Sequence, residues 1–134
     1  MSKLTFFGAS GIVTGSSFIL QDNTTTILVD LGMFQEDSSI ESENTKPLPF
    51  DVQSLSCVLI THAHLDHCGR LPLLAKEGYT GPIYMTEATR DIVEISLEDS
   101  ARIAERKEEE ESIPAIYTID HVTEVLEKIQ IVEY

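Results

Sequence analysis

The feature that most constrains the fold is a junction between an apolar run and a helix, filled with residues that bind metals. Residues 57–60 are Cys-Val-Leu-Ile, a short apolar run that predicts a buried strand. Residues 68–74 predict the entry to a helix. Between them lie His62, His64, Asp66 and His67. The chain has 4 histidines, and 3 of them lie in this short run, which favours a metal site over chance clustering.

The spacing of these residues predicts how they divide between ions. His62 and His64 are two positions apart, so in extended backbone their side chains fall on one side and can bind one ion. Asp66 and His67 follow as the chain turns, and are expected to aim at a second ion. This is half of a two-metal site, of the kind whose ions lie about 3.5–4 Å apart. Imidazole and carboxylate without thiolate fit zinc, and also manganese or iron.

Composition limits the possible partners. The 134 residues are enough for one domain with its own core. Acidic residues outnumber basic ones 23 to 9, for a net charge of −14, so the chain alone should bind nucleic acid poorly. The two cysteines, Cys57 and Cys68, are expected to be reduced. With no signal peptide and no apolar stretch of membrane-spanning length, the sequence predicts a cytoplasmic protein without a membrane partner.

Strand and helix patterns interleave along the chain. The sequence predicts strands at residues 4–7, 17–20, 25–29, 57–60, 82–85 and 131–134. It predicts a long loop at 33–50, a helical turn at 51–55, and helices at 69–77, from 87 to about 107 with Thr86 as N-cap, and from 119. Since the second and third strands form a hairpin, we expect a mixed α/β fold with a sheet covered by helices.

The helical patterns also predict which side chains are buried. In the long helix the apolar stripe is expected to comprise Ile92, Ile95, Leu97, Ala101, Ile103 and Ala104. In the last helix the apolar side is expected to hold Val122, Val125, Leu126 and Ile129. The remaining histidine, His121, is expected to face solvent.

Several stretches resemble a known family. Residues 62–67 match His-x-His-x-Asp-His, the signature of the metallo-β-lactamase superfamily. The stretches at 8–11, 13–16, 28–35, 87–90, 99–103 and 117–122 are similar to its β-CASP branch of nucleic-acid-processing enzymes. The resemblance covers nearly the whole chain. It implies the N-terminal half of a metallo-β-lactamase αββα sandwich, a mixed sheet with helices on one face.

The resemblance also implies an activity. Enzymes of this branch hydrolyse phosphodiester bonds in RNA with two zinc ions and a bridging hydroxide. Residues matching His62 and His64 bind the first ion, and those matching Asp66 and His67 bind the second. Asp66 is a candidate proton acceptor and Asp30 a supporting residue beside the site, although a strand-end turn is an alternative role for Asp30. The same metal run also occurs in hydrolases of thioesters, lactones or lactams.

The chain departs from the family by what it lacks. The family's third histidine, bridging aspartate and final histidine have no counterpart here, nor do the β-CASP domain and the second half of the fold. Residues 1–134 are therefore expected to be the N-terminal part of one metallo-β-lactamase domain. We expect weak metal binding, little or no catalysis by this chain alone, and homo-oligomers that associate through a bare sheet face. A noncatalytic interaction module is the alternative for the chain as it stands.

Overall fold

The computed structural model describes residues 1–133 and contains one six-stranded mixed sheet. The strands are β1 (Lys3–Phe6), β2 (Phe18–Gln21), β3 (Thr26–Val29), β4 (Cys57–Leu59), β5 (Ile83–Met85) and β6 (Ile129–Ile131), and they lie side by side in this order. The pairs β1–β2 and β2–β3 are antiparallel, and the pairs from β3 through β6 are parallel. The carboxyl ends of β3, β4, β5 and β6 therefore meet at one edge of the sheet.

One face of the sheet forms the core and the other is bare. The strand register aligns Ile19, Leu28, Val58 and Ile83 across the sheet on one face, and all four are buried. The intervening residues point to the other face and form an apolar surface that includes Phe6, Leu20 and Leu59, which are 57%, 44% and 37% exposed. The mixed α/β fold with helices on one face of the sheet is thus confirmed.

The helices supply the second layer of the core. They are α1 (Ser38–Glu41), α2 (Leu65–Cys68), α3 (Pro72–Lys76), α4 (Glu87–Glu111) and α5 (Ile119–Leu126). Fully buried side chains on these helices pack into the same core as the sheet; they include Leu74, Val93, Leu97, Ala101, Val122 and Val125, and Leu71 joins them from the position before α3. Within residues 1–133, no helix combines the length and the apolarity needed to cross a membrane.

The apolar stripe of α4 differs from the sequence prediction. Ile92, Ile95 and Ile103 are exposed, at 55%, 71% and 45%, whereas Val93 is fully buried together with Leu97 and Ala101. The buried residues are spaced by four, so they follow one narrow line along the helix. The prediction is confirmed for Leu97 and Ala101 and wrong for the three isoleucines, because only one narrow line along the helix contacts the core.

Several element boundaries also differ from the prediction. The helix expected at 69–77 is shorter, since α3 covers only Pro72–Lys76, and a separate short helix, α2, precedes it and contains Asp66 and His67. The loop at 33–50 contains α1 and a 3₁₀ turn at Ser42–Thr45. The last strand begins at Ile129 rather than at residue 131, and Tyr134 lies outside the described residues. The helical turn at 51–55 is confirmed as a 3₁₀ turn at Val52–Ser54.

His121 does not simply face solvent, as the sequence had suggested. It is half-buried at the start of α5, and its Nδ1 accepts a hydrogen bond from the backbone N–H of Thr118 at 3.1 Å. The Thr118 side chain in turn caps the helix, so the two residues form a capping box. The histidine takes the place that Glu or Gln usually holds in this motif, which explains why a polar-face prediction missed it.

Candidate metal centre

Asp30 is the anchor of the candidate site. It follows β3 directly, has a left-handed backbone with φ of 58°, and is 1% exposed. Its backbone N–H donates to the carbonyl of Leu59 at 2.9 Å, which keeps β3 beside β4 past the end of the ladder. Its Oδ1 accepts a hydrogen bond from the N–H of Thr61, and its Oδ2 accepts from the Thr61 hydroxyl, each at 2.8 Å. The buried carboxylate thus joins the ends of two neighbouring parallel strands.

The same carboxylate orients His67. The Nδ1 atom of His67 lies 2.8 Å from Oδ2 of Asp30. Because a carboxylate can only accept, Nδ1 carries the proton in this contact, and a neutral ring then has its lone pair on Nε2. A carboxylate that holds the far nitrogen of an imidazole in this way is the usual support of a metal-binding histidine. The Nε2 atom lies 3.6 Å from Oδ2 of Asp66, so the two predicted ligands of the second ion are neighbours.

Thr61 extends this arrangement to His62. Its hydroxyl lies 3.0 Å from Nδ1 of His62 while it also contacts Asp30. A hydroxyl has one proton, so when it donates to the carboxylate it accepts from the His62 ring. That assignment places the proton of His62 on Nδ1 and leaves its Nε2 free. One aspartate therefore orients two histidines, one directly and one through a threonine.

The three imidazoles of the run lie together. The ring centroid of His62 is 4.8 Å from that of His64 and 4.0 Å from that of His67. His64 has extended backbone at the N-cap of α2, and its carbonyl accepts from the N–H groups of His67 and Cys68. Its side chain makes no capping bond, so the helix start does not use the ring. The sharp turn at His64 brings the second pair of predicted ligands back toward the first.

Close backbone packing against two other segments of the chain holds the turn at residues 64–67 in place. The N–H of Ser16 donates to the carbonyl of Asp66 at 2.8 Å, and the N–H of Met33 donates to the carbonyl of Leu65 at 2.8 Å. A Cβ atom on Gly32 would lie 1.6 Å from the Asp66 carbonyl oxygen, so only glycine allows this approach. The loop before β2 and the segment after β3 thus form a rigid support for α2.

Cys68 lies beside the predicted ligands, and its surroundings keep its thiol protonated. It is fully buried, and its Sγ donates to the carbonyl of Ala63 at 3.5 Å. Burial, followed by the negative charges of Asp30 and Asp66, raises the pKa of the Cys68 thiol to about 12. The group is therefore a neutral thiol at neutral pH, in agreement with a site built from nitrogen and oxygen.

The chemical types of the predicted ligands fit divalent metal ions, but the ligands are too few to complete the coordination of an ion. Within residues 1–133, no group of three or more His, Cys, Asp and Glu side chains is placed to hold one ion. Imidazole nitrogens held by carboxylate hydrogen bonds are what zinc, manganese or iron require, whereas a structural zinc ion takes about four donors. The four predicted ligands lie close together, and their division into pairs that bind two ions stays a prediction.

The sequence prediction missed Thr61 altogether. Its role depends on the parallel pairing of β3 and β4, because only that pairing brings residue 61 beside residue 30. The available indication was a hydroxyl residue at the end of a strand, directly before a histidine. Asp30 was predicted as a supporting residue, and its buried position against His67 agrees with that role.

Comparison with known proteins places the chain. The family model described as the metallo-beta-lactamase superfamily matches residues 10–131. The chain is 48% identical over 97 residues to Ribonuclease TTHA0252 of Thermus thermophilus, a match that covers 72% of this chain and 22% of the relative. It is 33% identical over 108 residues to Transcription termination factor FttA of Methanocaldococcus jannaschii, with 81% and 17% covered. It is 35% identical over 136 residues to Integrator complex subunit 11 of Danio rerio, with 95% and 22% covered.

These matches establish the family, but they cover only part of the length of each relative. The chain spans about a fifth of the length of the curated relatives it matches. Membership in the superfamily implies divalent metal ions, in agreement with the donors at the carboxyl ends of β3 and β4. The signature at residues 62–67, the mixed sheet and the matched relatives agree. The chain belongs to the metallo-beta-lactamase superfamily, in its β-CASP branch.

Proposed function

We propose that the chain is the metal-binding part of an enzyme that hydrolyses phosphodiester bonds in RNA. His62 and His64 hold one divalent ion, and Asp66 and His67 hold a second. The observation that carries the proposal is the Asp30 carboxylate, which orients His67 directly at 2.8 Å and His62 through Thr61. The 48% identity to a protein named as a ribonuclease supports RNA as the substrate.

The residues of the chain have separate tasks in this reaction. Asp30 is fully buried and positions the rings, so it does not touch the substrate. Asp66 is half-buried at the start of α2 and accepts the proton of the attacking water as that water becomes a nucleophile. When bound, a pair of divalent ions lowers the pKa of a water toward neutrality and neutralises charge on the phosphoryl oxygens.

Zinc is the proposed metal, with manganese and iron as the alternatives that the donor set allows. Two protein ligands per ion are too few for tight binding, because closed zinc sites use about four. We therefore propose that residues 1–134 are the N-terminal part of one metallo-β-lactamase domain, and that further ligands come from elsewhere in the functional protein. The chain alone should bind zinc more weakly than micromolar and cleave RNA slowly or not at all.

The proposal extends to the environment and assembly of the chain. Both cysteines are free, as in proteins of the reducing cytoplasm, which is the proposed compartment. The bare sheet face is a surface through which copies of the isolated chain associate. The acidic charge of −14 argues that RNA is held mainly by groups outside this chain.

The test compares the native full-length polypeptide that carries these residues with its variants. Labelled single-stranded RNA and a chromogenic lactam are supplied with zinc, and bound metal is counted by elemental analysis. Replacing His62 and His64 with alanine should abolish RNA cleavage and remove one ion per chain. His121→Ala is the matched control, because His121 only caps α5, and it should keep both activity and metal content. Unchanged RNA cleavage and metal content in the double variant would contradict the proposal. If the wild-type polypeptide hydrolyses the lactam but not the RNA, the substrate is a small molecule rather than RNA.

A further inference from the structure

Arg70 is a buried cation that the proposed mechanism does not use. It lies just after α2 and is 4% exposed, and no carboxylate among residues 1–133 forms an ion pair with it. Burial lowers the pKa of its guanidinium to about 10, opposed by the nearby charge of Glu43, so the group remains protonated at neutral pH. A buried charge without an ionic partner is destabilising unless it is hydrogen-bonded. Its contacts therefore indicate what the charge is for.

The side chain and the backbone N–H of Arg70 both contact the segment that follows Asp30. Its backbone N–H donates to the carbonyl of Leu31 at 2.9 Å, and its Nε donates to the carbonyl of Gly32 at 2.5 Å. The guanidinium carbon lies 4.6 Å from the ring centroid of Phe34, which places the cation over the ring. One residue thus binds the backbone of Leu31 and Gly32 and the aromatic ring of Phe34, and its side chain makes two of these three contacts.

Residues 31–34 are the surface on which the predicted ligands of the second ion lie. The N–H of Leu31 donates to the carbonyl of His67 at 2.9 Å, and the N–H of Met33 donates to the carbonyl of Leu65 at 2.8 Å. Gly32 approaches the carbonyl of Asp66 so closely that a Cβ would overlap it. A shift of this segment would therefore move the backbone of Asp66 and His67.

We propose that Arg70 is a positioning residue that clamps residues 31–34 against α2 and so fixes Asp66 and His67 for the second metal ion. The inference rests on the proposed metal-binding function. Lysine cannot replace arginine here, because the clamp needs a planar cation that stacks on Phe34 while its Nε donates along a fixed direction. The charge alone is not sufficient.

The experiment compares Arg70→Lys with Arg102→Lys in the 134-residue chain. Arg102 is a matched control, because its side chain is 64% exposed and pairs only with Glu98. Zinc is titrated while the imidazole signals are followed by NMR, and amide hydrogen exchange is measured without metal. Arg70→Lys should weaken zinc binding about tenfold or more, the range found when groups that support metal ligands are removed. It should also accelerate exchange at Leu31 and Met33, while the N–H groups of Val58 and Ile60 keep their protection.

Two outcomes with Arg70→Lys would overturn the inference. The first is unchanged zinc affinity and unchanged exchange in Arg70→Lys. The second is faster exchange to the same extent at Leu31, Met33, Val58 and Ile60, because that pattern means a general loss of stability rather than a local clamp. If Arg70→Lys does not fold, a zinc titration of the wild-type chain still tests the proposal. The Arg70 Nε–H signal should move during the zinc titration, and His67→Ala should abolish the movement. An Arg70 signal that stays fixed while the imidazole signals respond to zinc would overturn the clamp.

Failure of the proposed function would look different. The imidazole signals of His62, His64 and His67 would then not respond to zinc in the wild-type chain. The exchange measurement still tests the clamp in that case, because it needs no metal.

Discussion

At the scale of single residues, the site depends on one carboxylate that serves several donors. Asp30 accepts two hydrogen bonds from Thr61 and one from His67, all in a buried position. Its left-handed backbone is a conformation that asparagine also tolerates. Replacement by asparagine therefore removes the carboxylate and leaves the backbone undisturbed, which separates the two contributions.

Asp30→Asn should lower the free energy of unfolding by about 3 kcal/mol, because its amide nitrogen cannot accept the hydrogen bonds that the carboxylate oxygen accepted. Zinc binding should weaken about tenfold or more as His67 loses its support. Urea unfolding and zinc titration measure the two effects. Asp22→Asn is the control, since that carboxylate only caps an exposed turn beside Asn23. Equal unfolding free energies for the two variants would show that Asp30 is a simple turn former.

The cluster of predicted ligands could be found from sequence because its residues lie within six positions of one another. His62, His64, Asp66 and His67 need only a strand, a turn and a helix to come together, and these are local features. Thr61 and Arg70 could not be predicted, because each acts on residues about 30 to 40 positions earlier in the chain. Their roles exist only once β3 and β4 are paired.

At the scale of elements, the sequence located the strands and the two long helices within a few residues, and the errors have physical causes. The extent of α4 was underestimated because its last turn is the acidic run Glu108–Glu111, which opposes the helix dipole. The helix continues to Glu111 and ends at Ser112, which has a left-handed backbone with φ of 57°. Glycine is the usual residue at such a C-terminal position.

Ser112→Gly should therefore stabilise the chain by about 0.5–1 kcal/mol, since it removes the strain of a left-handed serine. Thermal unfolding followed by circular dichroism measures the shift of the midpoint. The control is Ser96→Gly in the interior of α4, which should destabilise by about 0.5–1 kcal/mol because glycine weakens a helix. Shifts of the same sign in both variants would contradict the assigned end of the helix.

The contact between Gly32 and α2 gives a second test at this scale. Gly32→Ala should lower the free energy of unfolding by about 3 kcal/mol, because the new methyl group meets the carbonyl of Asp66 and the backbone has to separate. Gly11→Ala provides the comparison, since its Cβ would meet nothing within 4 Å and only its φ of 79° is unfavourable. That variant should lose about 1 kcal/mol. Urea unfolding of both variants decides, and a loss in Gly32→Ala no larger than that in Gly11→Ala would count against the close packing.

At the scale of the whole molecule, the chain forms two layers, a sheet and a set of helices, and the face of the sheet that points away from the helices is uncovered. Leu4 and Leu20 face each other across β1 and β2 on the bare face and are 49% and 44% exposed. Together with Phe6 and Leu59 they form an apolar surface of the kind that favours association in water. The sequence predicted this face from what the chain lacks relative to the family, while the structure identifies the residues.

Leu20→Lys should increase the monomer fraction of the isolated chain, because a charge at the centre of the apolar surface opposes burial against a second copy. Light scattering over a range of concentrations measures the mean mass. Ile95→Lys is the matched control, since Ile95 is 71% exposed on α4, and it should leave the mass unchanged. A wild-type chain that stays monomeric at high concentration would refute association through this face.

The direction of β6 also offers a route for engineering. This strand runs parallel to β5 and β4, so its carboxyl end at Ile131 opens on the edge of the sheet that holds Asp30 and His62. Two strand spacings separate β6 from β4, a distance of roughly 10 Å. A short histidine-bearing extension grafted behind Ile131 would start at this same edge without crossing the sheet, which makes it a direct path to a designed third nitrogen donor.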